Sequence, residues 1–199
     1  MKELWNNRYA KAGYAYGTEP NIFFKRSIDN FKPGKILLPG EGEGRNAVCA
    51  AKSGWEVKAV DFSESAKVKA FKLASEHNTS LEYEISNLTD FRASSSYFNC
   101  IGLIYVHLDP KTRNEFHNKL SDWLAPKGKI VLEAFSKNQI KYKSGGPKSQ
   151  EMLLTLEELK KDFDSLNIEL LEEVETNLFE GPFHSGKASV IRLIATKLQ

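Results

Sequence analysis

Residues 35–61 read Lys35-Ile36-Leu37-Leu38-Pro39-Gly40-Glu41-Gly42-Glu43-Gly44-Arg45-Asn46-Ala47-Val48-Cys49-Ala50-Ala51-Lys52-Ser53-Gly54-Trp55-Glu56-Val57-Lys58-Ala59-Val60-Asp61. An apolar run, a glycine-rich turn, a helix-period segment and a second apolar run ending on an acid follow one another here. Glycines two apart let the backbone leave a strand sharply and approach a ligand without Cβ interference. From Arg45 the residues Ala47, Val48, Ala50 and Ala51 keep one helical face, and Gly54 stops it. The free N–H groups at that helix start point into the space beside the turn. Asp61 stands where a carboxylate accepts the hydroxyls of a ribose. The stretch therefore predicts a βαβ unit that binds a nucleoside-containing ligand at the carboxyl ends of its strands.

Working outward, Ser63 caps a helix with Ala66, Ala70, Phe71, Leu73 and Ala74 along its stripe. Leu81 to Ile85 is a third strand, Ser86 to Tyr97 is irregular, and Asn99 to Val106 is apolar enough for a central strand covered on both faces. Asp109-Pro110 opens a helix with Phe116, Leu120, Trp123 and Leu124 inward, and Lys129 to Phe135 forms the next strand. Thr155 and Glu158 make a capping box, with Leu156, Leu159 and Phe163 facing in. The acids from Glu157 to Glu175 are expected on a solvated helix face and strand edge. Ile168 to Phe179 and Ala188 to Lys197 follow without an intervening helix, so they should pair antiparallel across the turn Glu180–Gly186. Ser136 to Gln150 carries Lys137, Lys141, Lys143 and Lys148 with no acid and is expected to be a mobile loop.

Of the 199 residues 41% are apolar, enough for one sizeable core. Lys and Arg number 28 against 26 acids, a net charge of +2, which argues against a nucleic-acid partner. No apolar run approaches the ~20 residues that span a bilayer. Met1 to Arg8 lacks the apolar centre of a signal peptide. Two cysteines, Cys49 and Cys100, fit neither a disulfide framework nor a metal site. A single cytoplasmic domain without metal, membrane or nucleic-acid partner is the expectation. Composition says nothing of oligomeric state.

Two cofactors suit the glycine turn. Gly42-x-Gly44-x-x-Ala47, with Asp61 19 residues beyond Gly42, satisfies the dinucleotide fingerprint of an NAD-dependent oxidoreductase. Gly40-x-Gly42-x-Gly44 equally suits S-adenosylmethionine. The helix-free antiparallel ending favours the second. Together with Trp5-x-x-Arg8-Tyr9, Tyr14-x-Tyr16-Gly17-x-x-Pro20-Asn21 and Ala59-Val60-Asp61-Phe62-Ser63, it gives a resemblance to class I S-adenosylmethionine-dependent methyltransferases. The nearest branch is the tellurite-resistance-type and thiopurine-type enzymes that act on small molecules.

That resemblance implies an α/β, Rossmann-like fold: a seven-stranded, mostly parallel sheet with an antiparallel last strand and helices on both faces. It implies one methyltransferase domain over 1–199, with an N-terminal helical lid segment (1–31), a cofactor-binding core (35–135), the loop (136–150) and a C-terminal helix and hairpin (155–199). Gly40, Glu41, Gly42 and Gly44 would pack on the methionine part of the cofactor, Asp61 would hold the ribose, and Phe62, Asn87 and Leu88 would border the adenine. Tyr105 follows the central strand at the reactive end. Three positions depart from the family: Leu38, Asn87 and Asn99 stand where acids are frequent. Glu41 and Glu43 could restore the lost negative charge near the sulfonium or amino group.

His107, after the central strand, is the candidate general base, its ordinary pKa near ~6.5 suiting neutral pH. His184 is expected at the surface, and His77 and His117 on helices as structural residues. Tyr9, Tyr14 and Tyr16 are expected as a lid whose aromatic faces enclose the sulfonium, while Phe23, Phe24 and Phe31 serve the core. Arg8 suits either an anionic acceptor or a carboxylate partner within the protein. The activity so implied is methyl transfer to a small-molecule thiol, metalloid or other heteroatom; the alternatives are S-adenosylmethionine binding without catalysis and the nicotinamide chemistry above.

Overall fold

Helices α1 (Lys2–Tyr9) and α2 (Ile22–Ile28) lead into the unit quoted above, which forms β1 (Lys35–Pro39), α3 (Arg45–Lys52) and β2 (Glu56–Asp61). The structure is a computed structural model describing residues 2–198. Next come α4 (Glu64–Glu76), β3 (Glu82–Ile85), β4 (Phe98–Ile104), α5 (Pro110–Trp123) and β5 (Leu124–Phe135). The chain closes with α6 (Leu156–Asp162), β6 (Asn167–Phe179) and β7 (Ser185–Thr196). The strands form one sheet in the order β3-β2-β1-β4-β5-β7-β6. Strands β3 to β5 pair in parallel, and β7 runs antiparallel to β5 and β6, so six strands share one direction.

Alternate residues of the strands feed two cores. Ile36 and Leu38 of β1 with Val57 and Ala59 of β2 meet Phe24 and Ile28 of α2, Ala47 and Ala50 of α3 and Ala70 of α4. Leu37, Val60, Ile101, Leu103, Ile130 and Leu132 face the other way, onto Phe116, Leu120 and Trp123 of α5 and Leu159 and Phe163 of α6. Period-two side chains on strands buried on both sides produce this division. Each fully buried Leu, Ile or Phe contributes ~1.5–3 kcal/mol. The edge strand β6 instead alternates exposed Glu169, Glu173 and Glu175 with half-buried residues, and charge on an edge discourages pairing with another chain.

Several boundaries and side chains differ from the sequence reading. Strand β5 starts directly at Leu124, because the end of α5 passes into a bulged register with Phe98. Phe71 is 42% exposed and stacks obliquely with Tyr83 rather than entering the core. Asp162 is not solvated: it accepts from Arg113 Nε at 2.8 Å, with His117 Nδ1 also at 2.8 Å, tying α6 to α5. Within 136–150, residues Lys137–Lys141 wind into a 3-10 turn, and buried Gln139 donates to Ser144 Oγ and to the Gly145 carbonyl at 3.0 Å. Ser189 N donates in turn to Gln139 Oε1 at 2.9 Å, fastening this segment to β7.

Candidate active site

At the carboxyl ends of the parallel strands lies a cavity of about 700 Å³, within the ~300–1,000 Å³ range of small-molecule sites. Its first wall is the glycine turn. Gly40 leaves β1 at φ +66, and its N–H donates to Val60 O at 2.7 Å. Gly44 starts α3 at φ +92, where a Cβ would lie 2.6 Å from Ala70 Cβ, so glycine alone lets α4 pack against the turn. Glu41 bends back so that Oε1 accepts from Asn46 N at 2.9 Å and Ala47 N at 2.7 Å. It faces the cavity, and burial pushes its carboxyl up to about 7. Asp61 accepts from Gly42 N at 3.1 Å and Ser63 N at 3.0 Å; burial raises it to about 6 against those hydrogen bonds. Phe62 and Leu88 complete this end.

Other expected cofactor residues lie elsewhere. Glu43 turns away, accepting from Ala15 N and pairing with Lys69, each at 2.7 Å. Gly42 and Gly44 are buried behind the cavity wall, Gly42 against the Tyr9 hydroxyl. Asn87 is exposed and donates to Asp90 at 3.1 Å, outside the lining. Asn99 sits at the opposite end of the sheet, accepting from Lys35 N at 2.9 Å. Leu38 is core, packed near Phe24 and Gly102. Glu41 is thus the acid that the turn itself brings to the cavity.

The second wall joins distant parts of the chain. Trp5, Tyr9 and Tyr16 line it, whereas Tyr14 does not: its ring packs with Val48, Leu73 and Ala74 on the outer side of α3 and α4. Tyr105 follows β4 at φ +56, a conformation that costs a non-glycine residue energy, and its hydroxyl donates to Glu133 Oε1 at 2.9 Å. Glu133 of β5, 2% exposed, also accepts from Asn21 Nδ2 and Arg192 Nε, both at 2.6 Å. Asn21 Nδ2 reaches Glu180 Oε1 at 2.9 Å, and Glu180 pairs with Arg45 at 2.8 Å. One buried asparagine therefore ties the N-terminal segment to β5 and to the β6–β7 turn. At the same seam Gly181, φ +73, lies so close to Gly17 that a Cβ would be 2.5 Å from Gly17 N.

The histidines exchange the roles that sequence position suggests. His107 lines the cavity, but its Nδ1–H donates to Met152 O at 2.8 Å and its Nε2 accepts from Phe135 N at 3.3 Å. Burial lowers it to about 4. Both nitrogens are committed to backbone, so His107 holds the 150s segment and has none free for an acceptor's proton. His184 is buried rather than superficial, 6% exposed. Its ring centroid lies 4.4 Å from both Tyr16 and Tyr105 and 5.1 Å from Phe135. Nδ1 is 3.4 Å from Glu180 Oε2, and Nε2 has no protein partner among the described residues. Burial lowers its pKa, and the Glu180 carboxylate opposes that shift. The one signal in the sequence was Glu180 four residues ahead in the same turn.

Among the described residues no helix is long and apolar enough to cross a membrane, and no group of His, Cys, Asp and Glu is placed to hold a metal ion.

Residues 36–128 match the model of a family described as methyltransferase domain. The matched stretch runs from β1 into β5 and includes the glycine turn and Asp61. No curated protein matches the sequence. Among solved structures, one from work on the conversion of a disulfide bond into a thioacetal group during echinomycin biosynthesis has a TM-score of 0.81 at 14% identity, covering 99% of this chain and 91% of that one. A SAM-dependent methyltransferase from Methanosarcina mazei has a TM-score of 0.71 at 18% identity, over 90% and 99% of the two chains. The N-methyltransferase NodS from Bradyrhizobium japonicum, solved with S-adenosyl-L-homocysteine, has a TM-score of 0.71 at 11% identity, over 100% and 98%. At such identities the likeness is one of fold. Of the two readings of the glycine turn, the family match supports the methyltransferase one.

Proposed function

We propose that this chain transfers the methyl group of S-adenosylmethionine to a small-molecule acceptor through a heteroatom such as a thiol sulfur or a metalloid. The carrying observation is that a single cavity runs from Glu41, Asp61 and Phe62 to the unpartnered Nε2 of His184. The residues present fit the cofactor. Asp61 would take the ribose hydroxyls, Phe62 and Leu88 the adenine faces, and Glu41 the positively charged amino-acid end. Bound there, the cofactor supplies a methyl group on a positively charged sulfur, open to in-line attack.

The chain's own work is positioning and proton handling. Tyr16, Tyr105 and Phe135 confine the acceptor's body, and fixing two reactants in line supplies much of the acceleration of such a displacement. His184 Nε2 receives the acceptor's proton while Glu180 steadies the opposite nitrogen. An acceptor that arrives already deprotonated needs only the positioning. The branch resembling tellurite-resistance-type and thiopurine-type enzymes belongs with this reading, because an aromatic-walled, largely apolar chamber suits soft, polarisable nucleophiles.

Calorimetry with S-adenosylhomocysteine, S-adenosylmethionine and NADH, followed by release of S-adenosylhomocysteine over thiol, metalloid and phenol acceptors, tests the reading. Binding of the two adenosyl ligands with turnover on one acceptor class is the expected result. Binding of NADH alone would overturn it, and tight cofactor binding with no turnover on any acceptor would replace it with a non-catalytic binding role.

A further inference from the structure

Arg8 enters the cavity wall from α1 with its charge unspent. Its guanidinium lies 4.6 Å from the Trp5 ring centroid and 4.5 Å from that of Phe183, held between two aromatic faces. Nη1 donates to Tyr16 Oη at 2.7 Å. Among the described residues no carboxylate lies within ion-pair distance of it, whereas Arg45, Arg113 and Arg192 each have one. An arginine offers five N–H donors in a rigid plane, and among the described residues only one of them has a protein acceptor. The aromatic clamp fixes that plane in advance, which lowers the entropy cost of engaging a planar, two-oxygen anion. The ring of Tyr16, which receives the Arg8 bond, lies 4.4 Å from the His184 ring. The cation and the free histidine nitrogen therefore flank one tyrosine.

We propose that Arg8, clamped by Trp5, Phe183 and Tyr16, is an anion subsite that recognises a carboxylate-like group on an apolar methyl acceptor. This deepens the methyl-transfer reading and rests on it. Arg8's partners Tyr16 and Phe183 come from the N-terminal segment and the β6–β7 turn that also carry His184, whereas Asp61, Phe62 and Leu88 line the nucleoside end. The carboxylate of the cofactor's methionine offers the same chemistry, so the experiment has to separate the two sources.

Wild type, Arg8→Gln and Arg8→Lys are compared by calorimetry with S-adenosylhomocysteine and with 5′-methylthioadenosine, which lacks the carboxylate. Benzoate and its neutral counterpart benzamide are then titrated into each protein, with and without saturating S-adenosylhomocysteine. The expected result is that wild type prefers benzoate to benzamide by about tenfold or more, the scale of a charge-assisted pair. Arg8→Gln abolishes that preference and Arg8→Lys keeps part of it, while S-adenosylhomocysteine affinity stays within about threefold of wild type. Loss of S-adenosylhomocysteine affinity in Arg8→Gln with 5′-methylthioadenosine unaffected would overturn the proposal, assigning the anion to the cofactor. Equal binding of benzoate and benzamide by wild type, or no binding of either, would also overturn it. Should wild type fail to bind S-adenosylhomocysteine at all, the methyl-transfer reading fails instead, and the benzoate titration of the cofactor-free protein still decides Arg8. Thermal midpoints show whether each variant is folded, and the wild-type comparison of the two probes stands without them.

Discussion

The two ends of the cavity are built in opposite ways. The proposed nucleoside end is local: Gly40, Glu41 and Asp61 belong to one βαβ unit, and backbone N–H groups of the turn, of α3 and of Ser63 just after β2 satisfy both carboxylates. The acceptor end is assembled from afar, with Asn21, Glu133 and Glu180 joined by one amide although more than a hundred residues separate the first from the other two. A local unit keeps its geometry through short-range backbone constraints. A long-range seam keeps it only while every buried polar partner is present, because each orphaned group costs its full desolvation. The nucleoside end should therefore answer mutation mainly in binding, and the acceptor end mainly in stability.

The largest effect expected from this contrast is at Asp61. On the proposed reading the Asp61 carboxylate takes two ribose hydroxyls, so Asp61→Ala should weaken S-adenosylhomocysteine binding about 100-fold by calorimetry. Tyr105→Phe, at the far wall, should leave that affinity within about threefold. A change under tenfold in Asp61→Ala would erase the division between the ends.

Next comes the seam. Glu133→Gln removes the charge facing Arg192 and disturbs the bonds from Asn21 and Tyr105. Breaking a nearly buried pair of this kind costs about 2–4 kcal/mol, here discounted for the part-exposed arginine. In a chain of this length that lowers the thermal midpoint by about 5–12 °C. A calorimetric midpoint within 2 °C of wild type, on the order of measurement scatter, would show that the seam is not under tension.

The nucleoside end carries a pH signature that sharpens the comparison. Burial raises Glu41 to about 7 and Asp61 to about 6. Both groups therefore hold their protons to higher pH in the folded, ligand-free protein than in the unfolded chain. Their ionisation penalty is absent below the ordinary carboxylate range, grows as pH climbs toward these values and is complete above about 7. The share of the ligand-free protein's stability set by these two carboxyls accordingly grows as pH falls from 8 toward 5, while His107, His117 and His184, lowered by burial, oppose it below about 6.5. Affinity for the positively charged S-adenosylmethionine should run the other way, rising over the same interval as the two carboxylates ionise. Glu41→Gln should weaken S-adenosylmethionine binding and remove the inflection near 7 from calorimetry repeated across pH; an unchanged curve would strip Glu41 of its role.

The smallest effect is spectroscopic. With both ring nitrogens of His107 on backbone and its pKa lowered to about 4, its ring resonances should not titrate above pH 5 by NMR. Titration near 6.5 would return His107 to contention as the base.

The same division explains what could be read without coordinates. The order of strands and helices, the glycine turn, the Asp61 position and the antiparallel ending were legible because each rests on periodicity, capping or turn chemistry over a few neighbouring residues. The ends of elements moved, as where β5 begins at Leu124, and the expected loop 136–150 holds a 3-10 turn. Phe71 and Asp162 were misjudged because burial depends on what packs opposite, not on the stripe alone. The lid tyrosines divided for the same reason: Tyr9 and Tyr16 reach the cavity, and Tyr14 lies on α3 and α4.

His107 and His184 mark the boundary most sharply. Following the central strand brought His107 to the cavity, but the proximity of Met152 O and Phe135 N, set by the path of a later segment, decided that its nitrogens are occupied. His184 gained its burial from Tyr16 and Tyr105, residues of two other elements. The sequence alone determined the βαβ cradle, the sheet's class and the place of Asp61 at the end of β2, because local backbone geometry and hydrophobic period specify them. Tertiary structure alone decided which histidine is free, which acid of the turn faces the cavity, and that Arg8 has no carboxylate partner among the described residues. Hydrogen-bond satisfaction is a property of three-dimensional neighbours, and those neighbours are scattered along the chain.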